Sequence, residues 1–267
     1  MRIRTVGWAA LATALVAAGG ALASTLVQQR RIQGMERLAQ TIPVNSKYWR
    51  DRAKKKGELL YVALGDSAAQ GIGSSKPQRG YVGEIARMLR ETTGRSVRVV
   101  NLSASGARLR EAIEKQLPAL AKLGVEPDVV TVGIGANDIG TWDPARFERE
   151  IEQLYSAIPA HSIVGNVPSF YVGRAQANVR VANEMIAAAA QRHGLSVAPV
   201  HRETHRLGML RYALNQVSQD FFHPNDRGYR AWINAFLPLV ERRAVELVAQ
   251  QAEREADAAA GGVGGLT

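Results

Sequence analysis

The chain opens on a stretch without charge: between Thr5 and Gln29 there is no Asp, Glu, Lys or Arg, and residues 7–27 are almost wholly apolar. As a helix rising ~1.5 Å per residue this stretch spans ~31 Å, enough to cross the hydrocarbon core of a bilayer. Arg2 and Arg4 precede it, and Ala21-Leu22-Ala23 has the small-x-small pattern of a signal cleavage site. A cleaved export signal and a retained transmembrane anchor both fit. The basic residues near its two ends nearly balance, so charge alone does not orient it. The export pattern favours a body outside the cytoplasm, either on the cell membrane or secreted.

Past Gly57 short apolar runs alternate with longer helical patterns, which predicts βα units and a parallel sheet covered on both faces. Five runs read as strands, 59–64, 97–102, 128–133, 162–167 and 195–200. They are mostly continuous rather than alternating, as strands buried on both faces should be. Helices are predicted over 81–93, 108–123, 144–158, 174–193 and 226–250, with Pro238 a point of kinking in the last. Residues 251–267, ending AAAGGVGGLT, have the composition of a flexible tail. The expected organisation is a signal or anchor over 1–29, a basic juxtamembrane stalk over 30–56, one α/β domain over 57–250 and the tail.

Composition narrows the chemistry. The sequence contains no cysteine, which excludes disulfide scaffolds, Cys-type zinc sites, iron–sulfur clusters and thiol nucleophiles. Its net charge of +10 invites a nucleic-acid reading, but the excess is local. Residues 30–56 hold nine basic and two acidic side chains, while the body beyond them is nearly neutral. A basic stretch beside an apolar helix suits anionic lipid headgroups better than nucleic acid, and the body shows no basic face interleaved with aromatics.

In an open parallel sheet, reactive groups gather beyond the carboxyl ends of the strands. Gly65-Asp66-Ser67 follows the first predicted strand, Ser103-Ala104-Ser105-Gly106 the second and Gly135-Ala136-Asn137-Asp138 the third, while Asp220-Phe221-Phe222-His223-Pro224 precedes the last helix. A serine hydroxyl is a weak nucleophile at neutral pH and needs a base, itself oriented by a third group. Ser67, His223 and Asp220 are of the required types, and the D-x-x-H spacing lets one turn of backbone bring Asp220 to His223. Pro224 restricts His223 to extended geometry.

These four blocks, in this order and spacing over 59–232, resemble the consensus blocks of the SGNH hydrolases, also called the GDSL esterase/lipase family. Flanking residues agree, since GDSAAQGIG keeps the glycines after the serine and HPNDRGY continues as the last block does. The resemblance implies a flavodoxin-like three-layer α/β/α fold with a five-stranded parallel sheet, without cofactor or metal. It implies Ser67 as nucleophile, His223 as base, Asp220 as its partner, and an oxyanion hole from the Ser67 and Gly106 N–H groups and the Asn137 amide. Ala68 stands where the family usually has Leu, which touches substrate fit and removes no catalytic group. An α/β-hydrolase reading fails, because the nucleophile elbow requires G-x-S-x-G and Ala69 occupies the last position.

Other signals read as bland. His201 and His205 stand at i, i+4 spacing, yet without H-E-x-x-H and within a basic run they read as a solvated face or loop rather than a metal site. Gly133-Ile134-Gly135 lacks the third glycine of a dinucleotide loop. Trp142 fits a cleft wall or the core equally. Asp66 and Asp138 are expected to stabilise turns. The expected activity is hydrolysis of a carboxylic ester, its substrate a small molecule, a lipid or an acylated glycan. Acyl transfer to a glycan or lipid hydroxyl uses the same groups, and a membrane-tethered binding module without turnover is the rival from another class.

Overall fold

In a computed structural model, which describes the backbone of residues 3–263 and the side chains of Thr25 and residues 28–258, five parallel strands form one sheet in the order β2-β1-β3-β4-β5. These are β1 (Leu59–Gly65), β2 (Val97–Asn101), β3 (Val129–Gly133), β4 (Ile163–Gly165) and β5 (Ser196–Ala198), each inside its predicted run or overshooting it by one residue. The order is that of doubly wound, flavodoxin-like sheets, which place a crevice where the chain reverses direction between β1 and β3.

Alternate residues of β1 divide the core. Leu59, Tyr61 and Ala63 point into one apolar layer with Trp49 of α1 (Ile3–Ala53), α2 (Tyr81–Thr93) and α9 (Tyr229–Val263). Leu60, Val62 and Leu64 point into the other, with α5 (Pro144–Ser156), α6 (Gly173–Arg192) and the helical segment before β3. That segment, predicted as one helix over 108–123, is α3 (Leu109–Glu111), a π-turn (Ala112–Gln116) and α4 (Leu117–Ala121). The π-turn directs the Gln116 amide at the end of β1, where it accepts from Gly65 N and donates to Gly65 O, both at 2.8 Å. Strands β1, β3 and β4 end in register at Gly65, Gly133 and Gly165. A β-carbon on Gly133 would sit 2.6 Å from the Tyr81 hydroxyl and one on Gly165 2.8 Å from the Phe236 ring, so the sheet end admits the stack of Tyr81 with Trp232 and Phe236 only without side chains there.

The segments flanking the domain are helical where composition suggested a stalk and a flexible tail. The 30–56 stretch is helical to Ala53 and lies against the domain. Asn45 Nδ2 and Trp49 Nε1 each donate at 3.0 Å to Gln70 O, in the loop after Ser67. Higher up α1, Gly34 passes so close that a β-carbon would meet Gln219 O at 2.1 Å. At the other end, α9 runs to Val263, through most of the expected tail. Apart from Thr25, the predicted span over 7–27 lies outside the residues whose side chains are described. Among the described residues no helix is long and apolar enough to cross a membrane.

Candidate active site

The loops after β1 and β3 and the segment before α9 meet over the carboxyl end of the sheet. Ser67, 5% exposed, lies two residues past Gly65, and its Oγ is 2.8 Å from His223 Nε2. His223 Nδ1 lies 2.5 Å from Asp220 Oδ2. The other carboxylate oxygen of Asp220 accepts from the N–H groups of Phe222 and His223, at 3.1 and 3.0 Å. The backbone therefore fixes the carboxylate, which in turn fixes the imidazole ring. Burial raises the Asp220 carboxyl, but the hydrogen bond and charge of His223 and the two N–H donors outweigh it and hold it below its ordinary range.

Asn137, in the 3-10 turn Ala136–Thr141, points into the same cleft as Ser67. Its amide donates one N–H to Ala107 O at 2.9 Å and keeps a second. Gly106 follows β2 with φ +78° and lies in a separate depression, outside the residues that line the cleft. Among the described residues neither Ser67 N–H nor Gly106 N–H donates a hydrogen bond within the protein.

The loop carrying Ser67 is held from three sides. Besides the α1 donors, Asn101 Nδ2 donates to Ala69 O at 2.8 Å and Gln70 Nε2 to Ser103 O at 3.0 Å. Asp66 acts in a turn as expected, accepting from Ala68 N at 2.9 Å, whereas Asp138 departs from the turn expectation and ties its loop to the start of α3, accepting from Leu109 N, 29 residues earlier, at 3.2 Å. Burial pushes each carboxyl up to about 6 against those donors. For Asp66 a folded pKa above the unfolded value means that the proton favours folding. The contribution of Asp66 to stability is therefore greatest below the unfolded pKa of 3.8 and is lost as pH rises to about 6. Asp66→Asn keeps the acceptor for Ala68 N–H and removes the charge. From urea unfolding we expect the variant to match the parent in unfolding free energy at pH 4 and to exceed it by up to about 3 kcal/mol at pH 8; a difference independent of pH would refute this expectation.

The cleft measures about 520 Å³ and its walls are largely apolar. Phe170 and Tyr171 line it from the loop after β4, Met209 and Ala213 from α8 (Met209–Asn215), Phe221 and Phe222 from the segment before His223, and Trp232 from α9. Trp142 packs on Phe147 instead, with ring centres 5.2 Å apart. Gln176 braces the wall, its Oε1 accepting from Phe170 N at 2.7 Å and Ser169 Oγ at 3.2 Å. His201 and His205 lie on α7 (Val200–His205), one beside Gln176 and the other beside Ser169, and serve as braces of this wall. Among the described residues no three His, Asp or Glu side chains gather as a metal site. The two described non-glycine residues with positive φ, Tyr171 and Phe221, both line the cleft. Backbone strain is thus concentrated where substrate would lie.

The family model of the GDSL-like lipase/acylhydrolase family matches residues 63–231. The chain belongs to that family. It is a carboxylic ester hydrolase of the GDSL type, and Ser67 and His223 both fall within the matched span. Among curated proteins no relative matches the sequence. Solved structures with the same fold include LAE5, an alpha/beta hydrolase enzyme from the metagenome of Lake Arreo, at 24% identity and TM-score 0.56 over 70% of this chain and 96% of that one. TesA aligns at 20% identity and TM-score 0.56 over 69% of this GDSL chain and 99% of its own. Axe2, an acetylxylan esterase from Geobacillus stearothermophilus, aligns in the form of a catalytic mutant at 18% identity and TM-score 0.56, over 70% and 96%.

Proposed function

We propose that the protein is a serine esterase that cleaves carboxylic esters with an apolar acyl group through an acyl-enzyme on Ser67. The carrying observation is the continuous chain of hydrogen bonds from Ser67 Oγ through His223 to Asp220, opening into an apolar cleft. Neutral His223 takes the Ser67 proton on Nε2 as Oγ attacks the ester carbonyl, and Asp220 steadies the imidazolium that forms. The Ser67 and Gly106 N–H groups and the free N–H of Asn137 stabilise the oxyanion. The imidazolium then gives its proton to the leaving alcohol. Water, deprotonated by His223, attacks the acyl-enzyme and releases the acid, and Ser67 recovers its proton.

The apolar segment 7–27 holds the enzyme at the cell membrane in this reading, with the domain on the extracytoplasmic side. Support comes from α1, which runs without a break from that segment to the turns packed on the Ser67 loop. The reaction is tested by treating the full chain, in detergent, with a serine-directed fluorophosphonate. The expected result is one adduct per chain on the peptide containing Ser67, together with loss of p-nitrophenyl butyrate turnover. Full turnover after stoichiometric labelling of Ser67 would sink the proposal.

A further inference from the structure

Around the mouth of the cleft, large apolar side chains stand in the open. Met209, Phe221 and Phe222 line the cleft and are also 53%, 46% and 41% exposed. On α8, Leu210 and Leu214 are about 70% exposed and lie one turn apart, so the helix presents an apolar arc that runs from the cleft wall outward. Arg31 of α1 also lines the cleft, and Ile32 and Met35 are half exposed on neighbouring positions of that helix. Single exposed apolar residues need no explanation, but a contiguous set rimming one opening does.

We infer that this rim is a membrane-docking surface, which seats the mouth of the cleft in the headgroup layer of a bilayer containing anionic lipid. The inference rests on the proposed anchoring through residues 7–27. The apolar stretch ends at Val27, and Arg31 follows four residues later on the same helix. That separation is ~6 Å at 1.5 Å per residue. The headgroup layer on one side of a bilayer is ~5–8 Å deep, so a chain anchored by 7–27 has its cleft mouth at headgroup level.

Charge agrees with this placement. The first turns of α1 beyond the apolar stretch carry Arg30, Arg31 and Arg37 against Glu36 alone. Beside the α8 arc, Arg211 and Arg227 are exposed. Cations flanking an apolar patch are the pattern that anionic lipid surfaces attract. The packing of α1 makes the arrangement rigid: Gly34 lies against Gln219 and Asp220, and Arg37 donates to Gln219 Oε1 at 3.2 Å. An ester whose carbonyl lies at the boundary between headgroup and acyl chain then reaches Ser67 by moving along the cleft rather than leaving the bilayer.

The absence of cysteine allows a direct test with single labels on the full chain. Leu214→Cys and, at the opposite end of the sheet, Val125→Cys, 59% exposed before β3, are each labelled with an environment-sensitive fluorophore. Both are reconstituted in phosphatidylcholine vesicles with and without phosphatidylglycerol. We expect the 214 label to shift to the blue and to be quenched by lipids spin-labelled in the upper acyl chain, more strongly with phosphatidylglycerol. The 125 label should report water throughout.

A 214 label that reports water in every vesicle would overturn the inference. So would a blue shift in detergent without lipid that grows with protein concentration, which would assign the patch to a second copy of the chain. As a functional arm, Leu210→Glu/Leu214→Glu lies outside the cleft lining. It should keep turnover of soluble p-nitrophenyl butyrate and lose at least tenfold on p-nitrophenyl palmitate embedded in the vesicles; equal rates on the embedded ester would count against docking. Because the label needs no turnover, failure of docking and failure of the esterase reading are read separately.

Discussion

Ser67→Ala should lower kcat on p-nitrophenyl butyrate by about a million-fold, the scale seen when the nucleophile of a hydrogen-bonded serine triad is removed. In the proposed mechanism the hydroxyl oxygen forms and breaks the bond to the acyl group, and no other described hydroxyl lies within hydrogen-bond distance of His223 Nε2 to replace it. Turnover does not fall to the rate in water. The Ser67 and Gly106 N–H groups and the Asn137 amide stay in place, and such donors with binding alone retain about a thousand-fold or more over solvent. The fold should tolerate the change. Ser67 is buried, yet its Oγ makes one hydrogen bond, so the loss leaves His223 Nε2 short of a partner at a cost of about 1–3 kcal/mol. Circular dichroism should show an unchanged spectrum with a modestly lower melting temperature. A variant that keeps more than 1% of parental turnover would remove Ser67 from the mechanism.

The strands and most of the helices were legible because a doubly covered parallel sheet leaves a strong local trace. Runs such as Leu59–Gly65, buried at every position, cannot be written with polar residues, and α2 begins and ends where its apolar spacing does. Ser67, Asn137, Asp220 and His223 stood out as candidates for a different reason: the first two follow strand ends, the last two share a D-x-x-H-P segment before the last helix, and the order of the blocks resembles one family. What escaped was set by partners far away in sequence. Gln116 reads as an ordinary polar helix residue until its π-turn delivers it to Gly65, 51 positions earlier. Helix α8 is too short, and too exposed on one side, for its spacing to stand out, although it forms a wall of the cleft. The 30–56 stretch looked like a stalk because its charge dominates its composition. Its packing depends on Gly34, Asn45 and Trp49, which carry no distinctive local signal.

Asp220→Asn should lower kcat by about ten-thousand-fold while leaving the positions of the side chains nearly unchanged. The reason lies in the backbone. Oδ1 accepts from Phe222 and His223 N–H, so an asparagine at this position keeps its oxygen there and turns its amide nitrogen toward His223 Nδ1. That nitrogen only donates, so Nδ1 must become the acceptor and the ring proton moves to Nε2. An imidazole protonated on Nε2 cannot take the proton of Ser67 Oγ, 2.8 Å away, however well it is placed. KM should change little, because Asp220 is not among the residues lining the cleft. Stability carries a second signature. The folded-state pKa of Asp220 is lowered, so its carboxylate contributes stability above the unfolded value of 3.8, and that contribution is lost as pH falls below it. The variant has no such group, so its deficit in urea midpoint should be largest near neutral pH and narrow on acidification toward pH 3. Wild-type kcat in the variant would show that the imidazole is oriented by something other than this carboxylate. A deficit that did not vary with pH would show that its charge is not what stabilises the fold.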